Sequence, residues 1–349
     1  MSNNIPTNNL YVGTKLDLNK VPPLVGKMPK ERASELYKLL MQTNIPLYLL
    51  GNSGTGKTLT GKNLVKFYCN RQSKLLGRDV PGYYLQLSQD DTKSSVFVGL
   101  RMMNGSLIPF DGLVARVAQE GGILFVDEIT HSTENMILMF NAIDGGDSVI
   151  TIGDRIIDAS NLKIIYGSNR SNHGGNIRVP PSFANRVIGY PFEYPGLEDE
   201  TEISLATAQA KLTSKTLNIP RSVARYISAF VIANRSNEWP LSSRNVAHAL
   251  VMLELEKKDP LATTSKYFIG SSNNESLRRQ ITERILGKAT TDLAEMADQQ
   301  IIDFIQYVSS VGVDRFREII KIAVGLYIDI DGLELTSDVQ RTKIISSIL

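Results

Sequence analysis

The chain has 349 residues, 42 % hydrophobic and 21 % charged, the balance of a folded globular protein with room for about two domains; a peptide module is excluded. Its 38 Lys and Arg against 36 Asp and Glu leave a net charge of +2, so no global field points to nucleic acid or to an acidic membrane. Cys69, the single cysteine, has no disulfide partner and no nearby His or second thiol for a metal set, which fits a reducing, cytoplasmic setting.

Met1 to Leu10 is polar and Asn-rich, without the charged-then-apolar order of a signal peptide, and no apolar run reaches the roughly 18 residues of a membrane span. The expectation is a protein neither secreted nor membrane-spanning. Pro6, Pro22, Pro23 and Pro29 break any periodicity in the first thirty residues, and a helical pattern starts near Glu31 with Ala33, Leu36, Leu39 and Leu40. Short apolar runs then alternate with helical stretches: Ile45 to Leu50, Tyr83 to Leu87, Ile123 to Val126, Leu162 to Tyr166 and Val187 to Phe192. Buried strands separated by helices predict an α/β domain with a mostly parallel central sheet. After Pro195-Gly196 and the acidic stretch Glu198 to Glu202 the pattern is helical, with apolar stripes at Ile301, Phe304, Ile305 and Val308 and at Phe316, Ile319, Ile320, Ala323 and Val324; a strand is expected only at Leu326 to Ile330.

Directly after the first strand stands Gly51-Asn52-Ser53-Gly54-Thr55-Gly56-Lys57-Thr58, the complete pattern of a P-loop, followed by a helical stretch from Leu59 to Tyr68. The glycines let backbone N–H groups turn inward onto phosphate oxygens at a helix N-terminus. Gly51, Asn52, Ser53, Gly54, Thr55, Gly56, Lys57, Thr58 and Leu59 are the expected phosphate contacts, with Lys57 neutralising β/γ-phosphate charge and Thr58 ligating Mg²⁺. The run Ile123 to Val126 ends in Asp127 and Glu128, at the strand end where open α/β sheets bind ligands. Read as a Walker B strand, it gives Asp127 to Mg²⁺ and Glu128 to the attacking water as general base. Leu162 to Tyr166 delivers Asn169, placed to orient that water or touch the γ-phosphate; the alternative is an Asn tolerated at a turn. Pro180 to Arg186 reads as a helical turn ending in an arginine that can reach a neighbouring subunit's γ-phosphate, a surface ion pair being the alternative. Arg244, in a helix capped by a serine, sits unfavourably in the first turn, which suggests a phosphate-gripping role, a plain exposed arginine being the equal alternative.

These five elements, in this order, resemble the AAA+ ATPases over roughly Pro22 to Lys257. Val98-Gly99-Leu100-Arg101, Asn104-Gly105, Phe110 to Ala115 and Glu120-Gly121-Gly122 look like the MoxR branch, and most of all its CbbQ/NirQ/NorQ-like group. That branch carries one hairpin in this region and another before the sensor strand, which fits Val149 to Ile152, Gly153-Asp154 and Arg155 to Ile157. The resemblance implies a P-loop AAA+ α/β core at 26–195 after an N-terminal segment at 1–25. An all-helical lid at 196–260 and a mainly helical C-terminal extension at 261–349 follow. It also implies a homo-hexamer with ATP and Mg²⁺ between subunits, Asn169 as sensor 1, Arg186 as the arginine finger and Arg244 as sensor 2. Members remodel or mature a protein client, commonly beside a partner with a von Willebrand factor A domain. Gly-Ser-Asn-Arg and Ala-Asn-Arg-Val stand where the family often has Thr-Gln/Gly-Asn-Pro and Leu-Asp-Arg-Phe, the critical Asn and Arg being kept.

Two other readings are weighed: a nucleic-acid motor or loader, and a nucleotide-gated scaffold with little turnover. The densest basic run, Lys57, Lys62, Lys66, Arg71, Lys74 and Arg78, falls on one helix as a solvated face, and no zinc finger or helix-turn-helix signature follows the lid. The carboxylate pair argues against the scaffold.

Overall fold

The computed structural model describes residues 13–103, 106–144, 149–152, 155–169, 177–235 and 241–256. The stripes and strand expected beyond residue 300, the extension as a whole and the turn residues Asn104, Gly105, Gly153 and Asp154 lie outside the described residues. The chain divides into two units, Met1–Tyr194 and Pro195–Leu349.

The first unit runs β1 (Thr14–Lys15), α1 (Lys27–Gln42), β2 (Leu47–Gly51), α2 (Lys57–Leu76), β3 (Gly82–Gln86), α3 (Lys93–Val96), β4 (Val98–Met103), β5 (Ser106–Asp111), α4 (Leu113–Glu120), β6 (Ile123–Asp127), α5 (Glu134–Asp144), β7 (Val149–Ile152), β8 (Arg155–Asp158), β9 (Lys163–Ser168), α6 (Pro181–Ala184) and β10 (Ile188–Phe192). Six strands make one sheet in the order β1-β3-β6-β9-β2-β10. All neighbours are parallel except β1, which pairs antiparallel with β3 through Thr14↔Tyr84 and Lys15↔Tyr83 and has no counterpart in the sequence pattern. The two expected hairpins are present as β4–β5 and β7–β8.

The central strands β6, β9 and β2 are buried on both faces of the sheet, and strand alternation sorts their side chains. Ile123, Phe125 and Ile165 pack with Leu36 and Leu40 of α1 and Leu64 and Val65 of α2. Leu124, Val126 and Tyr166 pack on the other face with Val114 and Val117 of α4 and Ile137 and Phe140 of α5. Helix α1 begins at Lys27, earlier than the expected start near Glu31. Pro29 sits in its first turn, where a missing N–H breaks no helical bond, so the proline does not mark a break as the sequence suggested.

The second unit contains α7 (Leu197–Lys211), α8 (Arg221–Asn234) and α9 (Ser243–Glu256). Its acidic opening has a structural use: Arg221 pairs with Glu198 at 2.7 Å and Glu202 at 2.9 Å, and Arg225 with Glu198 at 3.0 Å, tying α7 to α8. Glu200 is fully buried against Arg235 Nη2 at 3.2 Å. The serine cap expected at α9 works in reverse: Asn245 Oδ1 accepts the Ser242 N–H at 2.9 Å. No helix among the described residues is long and apolar enough to cross a membrane.

Phe125 has no exposed surface and joins both α2 and the central sheet. Phe125→Ala should destabilise the first unit by about 3–5 kcal/mol. Urea unfolding reads this as a lowered midpoint; an unchanged midpoint would contradict the packing described.

Candidate functional site

The carboxyl ends of β2, β9 and β6 lie side by side, and each releases a polar residue there. After β2 the chain loops through Gly54 and Gly56, whose φ values of +80° and +91° lie in the left-handed region. A Cβ at Gly56 would meet nothing within 4 Å, so the backbone angle rather than lack of room requires glycine there. The loop leads into the N-terminus of α2, whose first N–H groups have no carbonyl partners within the helix and suit an anion.

Lys57, the first residue of α2, is buried and folds back over this loop. Its Nζ donates to the carbonyls of Gly51 and Asn52, both at 2.8 Å, and to Asn169 Oδ1 at 2.9 Å. The next residue, Thr58, donates from Oγ1 to Asp127 Oδ2 at 2.7 Å. Asp127 is almost fully buried at the end of β6 and also accepts from the Tyr84 hydroxyl at 3.3 Å, which burial and the carboxylate beside it hold well above its ordinary pKa. β9 passes close by: a Cβ on Gly167 would stand 2.6 Å from Asp127 Oδ1.

Glu128 has the only positive φ among the described non-glycine residues, +57°. Such a conformation is strained for a side chain of this size and persists where surroundings fix it. Here Asn169 does so, donating from Nδ2 to Glu128 Oε1 at 3.1 Å and Oε2 at 2.9 Å. One amide therefore joins Lys57 to Glu128, its oxygen facing the cation and its nitrogen the carboxylate. His131 Nδ1 lies 3.8 Å from Glu128 Oε2.

Two braces of the loop are not evident from its own sequence. Arg32 of α1 is buried, donates to the Thr55 carbonyl at 3.5 Å and the Glu193 carbonyl at 3.3 Å, and stacks 4.3 Å from the Phe192 ring centroid. Burial lowers its pKa. Tyr194 donates its hydroxyl to the Ser53 carbonyl at 2.9 Å. The available signal for Arg32 is its place on the apolar stripe of α1 with Leu36 and Leu40, where a cation needs a reason to be.

The site as built can take a phosphate chain and a hard divalent cation. The P-loop supplies N–H donors and one ammonium group, and Thr58 with Asp127 supplies two adjacent oxygen ligands of the kind that suits Mg²⁺ with phosphates and water. Among the described residues no cluster of three or more His, Cys, Asp or Glu could hold a metal ion.

The two expected arginines are both exposed. Arg186 is exposed just before β10, and its Nη1 donates to the Ser182 carbonyl at 2.8 Å. Arg244 is exposed in the first turn of α9, in the second unit. The basic run on α2 is partly occupied within the fold: Lys57 is in the site, Lys62 Nζ sits 3.9 Å from the Tyr84 ring centroid, and Lys66 reaches the Val21 carbonyl at 3.5 Å. His248 on α9 has its pKa lowered by burial, with Lys211 and Arg244 adding to the effect, and His173 lies outside the described residues.

Residues 46–187 match the family described as AAA domain, dynein-related subfamily. The chain is similar to Protein NorQ of Paracoccus denitrificans (strain Pd 1222), with 21 % identity over 180 residues, 50 % of this chain and 63 % of that protein. It is also similar to the denitrification regulatory protein NirQ of Stutzerimonas stutzeri, with 21 % identity over 227 residues, 63 % of this chain and 78 % of that protein. The match thus spans less than two thirds of NorQ. Among solved structures, NtrX from Brucella abortus in complex with ATP aligns with a TM-score of 0.50 and 16 % identity, covering 94 % of this chain and 70 % of that one, a likeness of fold. Residues 46–187 thus match an AAA domain, and the likeness to NorQ and NirQ agrees with the resemblance to the MoxR branch drawn from the motifs.

Cys69 is buried on α2, away from these groups, and burial pushes its thiol up to about 12. It should resist iodoacetamide in the folded protein at about pH 8 and react once unfolded in urea, because the thiolate is the reactive form. Mass spectrometry checks this; equal labelling rates in both states would contradict it.

Proposed function

We propose that this AAA+ chain binds ATP with Mg²⁺ and hydrolyses it at interfaces between identical subunits, using the cycle to remodel or mature a protein partner. The observation that carries the hydrolytic part is the single Asn169 amide between Lys57 and Glu128, beside the Thr58–Asp127 pair. Nucleotide-binding capacity follows from the AAA domain; the residue roles, the metal and the shared site are our reading.

In this reading the P-loop N–H groups and Lys57 bind the β- and γ-phosphates, and Thr58 and Asp127 hold Mg²⁺, which neutralises phosphate charge. Glu128 accepts a proton from water as that water attacks the γ-phosphorus and the bond to the β-phosphate oxygen breaks. Asn169 fixes the Glu128 carboxylate in place, so the base needs little reorganisation when the water arrives. Lys57 serves the phosphates from the loop side, and charge developing on the outer γ-oxygens calls for a second cation. Exposed Arg186 would supply it to a neighbour, the arrangement of a trans finger. The family resemblance assigns 26–195 to the core, 196–260 to a lid with Arg244 as sensor 2, and 261–349 to an extension. It also supplies the hexamer, the protein client and the von Willebrand factor A-domain partner. A nucleic-acid role is weakened by the engagement of Lys57, Lys62 and Lys66 within the fold.

Lys57→Ala should weaken nucleotide binding, whereas Glu128→Gln should leave binding intact and cut turnover by about 10²–10⁴. Fluorescent-nucleotide titration and phosphate release measure the two effects; parental turnover in Glu128→Gln would remove the base assignment. Arg186→Ala should lose about 10³-fold or more of turnover, given the usual worth of such a finger. Mixing it with Lys57→Ala subunits should restore activity in part, because the two defects fall on opposite sides of one interface. Absence of rescue at every mixing ratio would rule out the trans arrangement.

A further inference from the structure

The carboxylate of Asp127 is almost fully buried and accepts from three segments of the chain. The Glu128 N–H donates to Oδ1 at 3.1 Å, the Thr58 hydroxyl to Oδ2 at 2.7 Å and the Tyr84 hydroxyl to the same Oδ2 at 3.3 Å. The first two donors belong to the motifs read from the sequence; Tyr84 belongs to none of them. Sheet register brings it there. Tyr84 of β3 pairs with Phe125 of β6 and Gln86 with Asp127, so alternation puts Tyr84 and Asp127 on one face of the sheet, on a diagonal that an aromatic side chain can span. The Tyr84 ring lies 5.6 Å from that of Phe125, and Lys62 of α2 places its Nζ 3.9 Å from the Tyr84 ring centroid.

We propose that Tyr84, with Lys62 seated on its ring, is a positioning residue for Asp127, and that this pair sets how well the Thr58 and Asp127 oxygens take a divalent cation beside the nucleotide. This rests on the reading of Thr58 and Asp127 as the Mg²⁺ ligands. A carboxylate that ligates a metal is oriented by the hydrogen bonds it accepts, and removing such a donor weakens the metal without touching a ligand. On Oδ2 the other donor is Thr58, at the N-terminus of α2 where the loop meets a phosphate chain. Held by Thr58 alone, that oxygen would follow the loop. Tyr84 ties it instead to a strand of the central sheet, a frame that stays fixed while the loop adjusts to its ligand.

The phenol has one proton and two acceptors, since Gln86 Oε1 lies 3.4 Å from the same hydroxyl. Charge decides between them. A buried carboxylate takes a stronger hydrogen bond than the neutral amide of an exposed glutamine. The ammonium group of Lys62 over the ring face draws electron density from the phenol, which strengthens the hydroxyl as a donor toward Asp127. Lys62, one of the basic residues expected on a solvated face, thereby acts on the metal side of the site through an aromatic ring rather than by touching phosphate.

The test measures the affinity of the full chain for a fluorescent ATP analogue in EDTA and in excess Mg²⁺, with the Mg²⁺ concentration that gives half-maximal turnover, for the parent, Tyr84→Phe, Lys62→Met and Asp127→Asn. Tyr84→Phe keeps the ring against Phe125 and the seat of Lys62. It should lose about tenfold of the gain in affinity that Mg²⁺ brings, leave the affinity in EDTA unchanged and raise the half-maximal Mg²⁺ concentration by a similar factor. Lys62→Met should move the same readings in the same direction by about threefold, and it decides the matter where Tyr84→Phe fails to fold. A role in folding alone would weaken binding equally with and without the metal, so equal losses in EDTA and in Mg²⁺ would overturn the proposal. Parental Mg²⁺ dependence in folded Tyr84→Phe, beside a lost gain in Asp127→Asn, would overturn the positioning role alone. An undiminished gain in Asp127→Asn would overturn it together with the ligand assignment on which it rests.

Discussion

The position of β9 between β6 and β2 is the constraint on which the rest of the site depends. Its register, Leu50↔Ser168 toward the P-loop strand and Val126↔Tyr166 toward the carboxylate strand, brings Asn169 out between Lys57 and Glu128. A one-residue slip would reverse the faces of β9, sending Tyr166 toward α2 and Ile165 toward α5, where neither fits. The same hydrophobic sorting that holds the sheet together thereby holds an amide within hydrogen-bond distance of both a cation and a strained carboxylate. Parallel strands with every carboxyl end on one edge supply the geometry, and chain segments far apart in sequence supply the chemistry.

The site is uneven in its solvent exposure, and this shapes its chemistry. Lys57 and Asp127 are buried, and Glu128 and Asn169 are partly covered, so charges there act in a medium that screens them weakly. Arg32 and Tyr194 hold two carbonyls of the loop, those of Thr55 and Ser53. Arg186, by contrast, is exposed, and its guanidinium donates to the Ser182 carbonyl of its own turn.

Much of this is legible in the sequence, for local reasons. The five parallel strands of the central sheet fall within two residues of their expected limits, because strands covered by helices are short apolar runs. The P-loop and Asp127-Glu128 are contiguous, and each announces itself by residue type and spacing. The two hairpins were legible from the family resemblance. What sequence does not carry is pairing across the sheet: that Asn169 reaches Lys57 and Glu128 at once, that Tyr84 touches Asp127, or that Asp144 meets Tyr166. Arg32 stands out on the apolar stripe of α1, but its partners at Thr55 and Glu193 show only once α1 is placed against the loop, and β1 is too short to show alternation. The early start of α1 was hidden by Pro29, read as a breaker although a first-turn proline is harmless.

The central claim is that hydrolysis needs Lys57, Asn169 and Glu128 from one subunit and Arg186 from the next. The most direct measurement is ATP turnover per subunit across protein concentration, with mass determined in the same samples with and without nucleotide. Turnover per subunit that rises as the oligomer assembles is the predicted result. Turnover that is constant from monomer to assembly would show that each subunit acts alone and would contradict the shared site.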